Sequence, residues 1–171
     1  VPLFAWLLIT DREFEALLVF MACGATDALD GLLARWLRQR TLVGAYLDPI
    51  ADKLLMATSF IVLAYVRIVP KWLAILVISR DLFILVGSFL YLLLLDATDI
   101  RPTPLSKVNT ATQILTVTFF LAVAAFPELA ENAGAGDGTI LSRAVTYLCA
   151  GTTAASGVHY FYMGIRRLSN G

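Results

Sequence analysis

Five apolar runs dominate the chain, at residues 14–36, 44–65, 72–95, 106–126 and 140–163. A helix rises 1.5 Å per residue, so about 20 residues cross roughly 30 Å of hydrocarbon. Inside a bilayer every backbone N–H and C=O must find its partner within the chain, which predicts helices for all five. A sixth run, residues 1–10, is half long enough and begins without Met. It lacks the basic start and small-residue cleavage site of a signal peptide and is read as the tail of a span whose beginning is absent. Composition agrees: 59% of the 171 residues are hydrophobic and 15% charged, against about 25% charged in soluble domains. The 13 basic and 13 acidic side chains balance. A secreted disulfide scaffold, a disordered tail and a nucleic-acid binder led by net charge are thereby excluded. Cys23 and Cys149 lie inside apolar runs and are expected as small packing residues, not a bridge. The fold class expected is an all-α integral membrane protein with six transmembrane helices, the first truncated at its start, in a single domain over residues 1–171.

The connections at 11–13, 38–42, 69–71 and 96–104 carry charge or proline. Residues 127–139 read as a flexible acidic loop, whose Gly134, Gly136 and Gly138 come without the lysine of a phosphate loop. If the first helix enters from the cytoplasm, Arg35, Arg38, Arg40, Arg101, Lys107, Arg166 and Arg167 lie on that face. Arg12, Arg67, Lys71 and Arg143 lie on the other. This excess places the turn between the second and third helices in the cytoplasm. The compact chain, without a transit segment, is expected in a bacterial inner membrane.

An aspartate in a transmembrane segment costs a few kcal/mol, so each one is a functional candidate. Four surround one turn: Asp27, Asp30, Asp48 and Asp52. At about 100° per residue, Asp27 and Asp30 stand about 60° apart and Asp48 and Asp52 about 40° apart. Each pair shares a face, and a short turn should bring the two helices antiparallel with both pairs at similar depth. Four facing carboxylates cannot all stay ionised without cations. Lys53 follows Asp52 directly and points elsewhere on the helix. Two divalent ions, Mg²⁺ or Mn²⁺, balance the four charges and suit oxygen donors. Such a pair serves phosphoryl transfer by clamping the attacking and leaving oxygens. Gly31 and Ala34 lie on the Asp27 face, and Gly44 precedes Asp48 by one turn. Small residues there allow close approach of a ligand or of a neighbouring helix.

These residues spell Asp27-Ala-Leu-Asp30-Gly31-Leu-Leu-Ala34-Arg35, eight residues, then Gly44-Ala-Tyr-Leu-Asp48-Pro-Ile-Ala-Asp52. The stretch resembles the D-x2-D-G-x2-A-R-x8-G-x3-D-x3-D signature of the CDP-alcohol phosphatidyltransferases, with every fixed position filled. The resemblance implies six transmembrane helices, usually in a homodimer, and an active site opening to the cytoplasm at the ends of helices 2 and 3. It implies metal ligation by Asp27, Asp30, Asp48 and Asp52, and a general-base role for Asp52. Gly31, Ala34, Arg35 and Gly44 would form the CDP-lipid site, with Arg35 on the diphosphate and CDP-diacylglycerol as donor. Asp48-Pro-Ile-Ala-Asp52-Lys53 and Ile78-Ser-Arg80-Asp81 are similar to the branch of phosphatidylglycerophosphate synthase and CMP-forming cardiolipin synthase. Pro102-Thr-Pro-Leu-Ser-Lys107-Val-Asn-Thr110 with Gln113 leans toward the cardiolipin side.

The expected acceptor is therefore glycerol 3-phosphate or phosphatidylglycerol, with Arg80 and Lys107 as candidates for its phosphate. A buried arginine requires an anion, and pairing with Asp81 would satisfy Arg80 structurally; Lys107 could equally snorkel to the interface. Two other classes of function remain open to the same residues. A divalent-cation transporter would use the same aspartates but gives no reason for Gly31, Ala34, Arg35 and Gly44 at their intervals. A non-catalytic membrane subunit explains only the small-sided last helix, at Ala150, Gly151, Ala154, Ala155 and Gly157. His159 is expected as a hydrogen-bonded packing residue, and Trp6, Trp36 and Trp72 as interface anchors.

Overall fold

The computed structural model describes the backbone of residues 1–37, 42–95, 104–136 and 138–169, and the side chains of 1–26, 29, 53–87, 104–136 and 138–164. Described residues are helical or in turns: α1 (Pro2–Ile9), α2 (Glu13–Leu37), α3 (Leu42–Tyr65), α4 (Lys71–Leu95), α5 (Pro104–Ala125), α6 (Pro127–Asn132) and α7 (Ile140–Ser169). The five long helices overlay the five apolar runs. The segment expected as loop after residue 126 differs, because it begins with the six-residue α6. Pro127 supplies a φ suited to the first helical turn, and Glu128 places a carboxylate at the positive end of that helix.

Three helices end in one hydrogen-bond pattern, the Schellman turn. The N–H of Arg12 reaches the carbonyl of Leu7 (3.0 Å), that of Ile68 reaches Leu63 (2.9 Å), and that of Ala135 reaches Ala130 (2.7 Å). This closure needs a left-handed residue just past the helix. Asp11 (φ 55°), Arg67 (φ 66°) and Gly134 (φ 65°) fill that position.

Packing centres on α5, which lies against α2, α3, α6 and α7. Helix α4 packs against α3 and α7, and α1 against α2 and α3. One apolar core joins Phe4, Leu8, Phe20, Phe60, Leu63, Leu73, Val77, Phe120 and Leu121. Polar groups are buried beside it: Ser59, Arg80, Asp81, Asn109, Gln113, Thr116, Thr153 and Ser156. The outer faces carry large apolar side chains instead, including Ile75 (66% exposed) and Phe83 (69% exposed) on α4. Charged and polar groups beside the apolar core, with large apolar side chains on the outer faces, suit a lipid exterior. Several hydroxyls within the helices bond to their own preceding turn, as in Thr112 to the Val108 carbonyl (2.9 Å) and Thr116 to the Thr112 carbonyl (2.8 Å).

Among the described residues, one helix is both long and apolar enough to cross a membrane, α5 at Pro104–Ala125. Helices thus lie where the six apolar runs lie, and among the described residues the length and apolarity of a span are met by α5 alone. In α3 the described apolar stretch is the shorter Lys53–Tyr65. Two smaller expectations are corrected. His159 is exposed rather than packed, and so is Cys23, whereas Cys149 is buried; both thiols are free. Trp6 and Trp72 are exposed near helix ends, where anchors belong.

Candidate active site

Helix α2 carries positions 27, 30, 31, 34 and 35, and α3 carries positions 44, 48 and 52. Continuous helix through both stretches preserves the expected register, about 60° between 27 and 30 and about 40° between 48 and 52. The side chains of Asp27, Asp30, Gly31, Ala34, Arg35, Gly44, Asp48 and Asp52 lie outside the described residues, as do residues 38–41 that join the helices. Among the described side chains, there is no group of three or more His, Cys, Asp and Glu. As a donor set, four carboxylates fit hard divalent cations, which take oxygen ligands.

One residue beyond Asp52 the described side chains begin, and they form a charged cluster. Lys53 Nζ donates to Asp81 Oδ1 at 2.8 Å. The same oxygen accepts from Arg80 Nη1 at 2.6 Å. Arg80 Nη2 donates to Ser106 Oγ at 3.2 Å and to Ser156 Oγ. The guanidinium carbon stands 5.9 Å from the Tyr160 ring centre, within cation–π range. Arg80 Nε is buried with no partner among the described residues. Beside this cluster, Thr153 Oγ1 donates to Asn109 Oδ1 at 2.9 Å, joining α7 to α5.

Arg80, the first acceptor-phosphate candidate, therefore has its charge met by Asp81 and is buried, at 6% exposure. Lys107, the second, is exposed in the first turn of α5, next to Ser106. Asp81 is not among the site candidates of the sequence, although a carboxylate inside an apolar run is a signal for one. Ser156 gave less: in sequence it is one small residue among several. Asp81 meets Lys53 from 28 positions away as well as its neighbour Arg80, and Ser156 meets Arg80 from 76 positions away.

Comparison with known proteins adds to this geometry. The family model for CDP-alcohol phosphatidyltransferase matches residues 1–154. A cardiolipin synthase (CMP-forming) of Homo sapiens is 34% identical across 95% of the chain and 57% of the relative. A chloroplastic CDP-diacylglycerol–glycerol-3-phosphate 3-phosphatidyltransferase 1 of Oryza sativa subsp. japonica is 30% identical across 93% of the chain and 51% of the relative. A CDP-diacylglycerol–glycerol-3-phosphate 3-phosphatidyltransferase of Bacillus subtilis is 36% identical across 61% of the chain and 53% of the relative. The chain thus spans little more than half the length of these relatives.

Proposed function

The chain belongs to the CDP-alcohol phosphatidyltransferase family, and from that premise we propose that it transfers a phosphatidyl group from CDP-diacylglycerol to a phosphate-bearing glycerol acceptor, releasing CMP. The observation that carries the proposal is the filled signature across α2 and α3, in continuous helical register. Phosphatidylglycerol is the favoured acceptor. The segment opening α5 and the name of the human relative both lean toward it. Glycerol 3-phosphate is the second reading, favoured by the rice and Bacillus relatives.

Asp27, Asp30, Asp48 and Asp52 would hold two Mg²⁺ or Mn²⁺ ions, whose positive charge supplies neutralisation at the diphosphate. Arg35 would orient that diphosphate with its planar fork of donors. Gly31 and Gly44 would leave room for the nucleotide, with Ala34 packing below. Asp52 would take the proton of the acceptor hydroxyl as its oxygen bonds to the β-phosphorus and the bond to CMP breaks. A carboxylate is a weak base toward an alcohol, so this proton moves late, after the new bond has begun to form. Of the two acceptor candidates, both among the described residues, Lys107 is exposed at the start of α5 and would meet an acceptor phosphate, whereas Arg80 already faces Asp81. The excess of Lys and Arg near the α2–α3 turn supports a six-span arrangement with this site on the cytoplasmic face. In the homodimer that goes with the reading, exposed Gly151, Ala154 and Ala155 on α7 would let two backbones approach.

The test is CMP release by purified protein in mixed micelles with CDP-diacylglycerol, with and without Mg²⁺ or Mn²⁺, offering each acceptor separately. Release that requires metal, occurs with phosphatidylglycerol and disappears in Asp48→Asn supports the favoured reading. Release with glycerol 3-phosphate alone selects the second, and none with either acceptor from folded protein ends both.

A further inference from the structure

Arg80 and Asp81 are 6% and 9% exposed, in a helix where every charge is costly. With Lys53 they form an unbroken polar chain across the molecule. It starts on α3 at Lys53, crosses α4 through Asp81 and Arg80, and ends on Ser106 of α5 and Ser156 of α7. The α3 end of this brace is the residue that follows Asp52.

That adjacency has a mechanical consequence. With Lys53 drawn toward α4, backbone positions 52 and 48 stand about 100° and 140° round α3, on one side of it. A 20° turn of α3 would carry side-chain tips, at a radius of about 6 Å, through about 2 Å. Metal–oxygen distances tolerate only about 0.2 Å. The rotational setting of α3 would therefore decide whether positions 48 and 52 present ligands usefully, and the ion pair to Asp81 ties α3 to α4 at the next residue.

We propose that Asp81 is a positioning residue for the carboxylate site: through Lys53 it sets the rotation of α3, and through Arg80 it anchors that setting to α5 and α7. The inference rests on the reading of Asp48 and Asp52 as metal ligands. Asp81 touches neither substrate nor metal in this role.

The experiment uses the full chain in mixed micelles. Mn²⁺ binding is read directly from loss of the free-ion electron paramagnetic resonance signal, alongside CMP release and metal-free melting temperature. Asp81→Asn is expected to weaken Mn²⁺ binding about tenfold, as loss of an orienting partner does, and to lower kcat more than it raises KM for CDP-diacylglycerol. Asp81→Glu should recover most of both. Lys53→Met should reproduce the shift, and Lys53→Met with Asp81→Asn should go no further than the larger single change. Should Asp81→Asn not fold, Lys53→Met carries the comparison, since its side chain is partly exposed. Unchanged Mn²⁺ binding and kcat in Asp81→Asn or Lys53→Met overturns the inference, even if melting temperature falls. So does recovery of binding when Lys53→Met is added to Asp81→Asn, because Asp81 would then merely neutralise a competing ammonium. Asp48→Asn separates the two levels: if it binds Mn²⁺ like wild type, the metal reading falls and takes the inference with it. Loss of binding in Asp48→Asn beside unchanged binding in Asp81→Asn removes the inference alone.

Discussion

Arg80 shows how a buried cation is made tolerable in an apolar helix. Its guanidinium meets the Asp81 carboxylate at 2.6 Å and donates to the hydroxyls of Ser106 and Ser156. Breaking such a pair leaves the partner charge buried, which costs about 3 kcal/mol or more. Arg80→Met should destabilise the protein by that order, moderated because Lys53 still reaches Asp81. Arg80→Lys keeps the charge but loses the fork that spans Asp81 and both serines; it should fall between wild type and Arg80→Met. Denaturant unfolding in micelles checks the ranking, and a Met variant as stable as wild type would show that the pair adds nothing.

Helix ends obey a more local rule. Past α1, α3 and α6 the closing turn needs a left-handed residue, supplied by Asp11, Arg67 and Gly134. A residue with a Cβ pays about 1 kcal/mol there, and glycine almost nothing. Arg67→Gly should therefore stabilise the protein by about 1 kcal/mol, and Asp11→Gly by less, because a short polar side chain tolerates the left-handed region better. Gly134→Ala should destabilise by about 1 kcal/mol. Melting temperatures of the three variants, measured together, give the test: signs opposite to these would mean that the flanking loops, not the turn residue, set the conformation.

The whole molecule is held by contacts between helices far apart in the chain, and α7 illustrates how tightly. A Cβ added at Gly157 would stand 3.5 Å from Arg80 Cγ, an ordinary contact. Gly157→Ala should thus be neutral or stabilise by up to about 1 kcal/mol, since alanine suits a helix interior better. Gly157→Leu must push Arg80 aside, at a cost of about 1–3 kcal/mol, and should lower CMP release with it. Comparing folded fraction and turnover across the two variants checks this. Equal behaviour of Ala and Leu would show that α7 can move away from α4 freely.

Much of this architecture was legible in the residue order. Apolar length dictates where each long helix lies, because a segment in hydrocarbon must pair its own backbone. The spacing of Asp27, Asp30, Asp48 and Asp52 puts positions 27 and 30 on one face of α2 and positions 48 and 52 on one face of α3, since helical register is a local property. Local signals are weaker at the helix ends. Pro127 marks a helix start as readily as a loop, and nothing about Arg67 announces a left-handed turn. Partner choice belongs to the tertiary structure. Arg80 could be seen to need an anion, but whether Asp81 or a substrate phosphate met it depended on how α3, α4, α5 and α7 pack. That Lys53 would cross to Asp81, and that Ser106 and Ser156 would complete the guanidinium's bonds, followed from distances between helices. Periodicity along one chain segment encodes which way a side chain faces, and only packing decides what it faces.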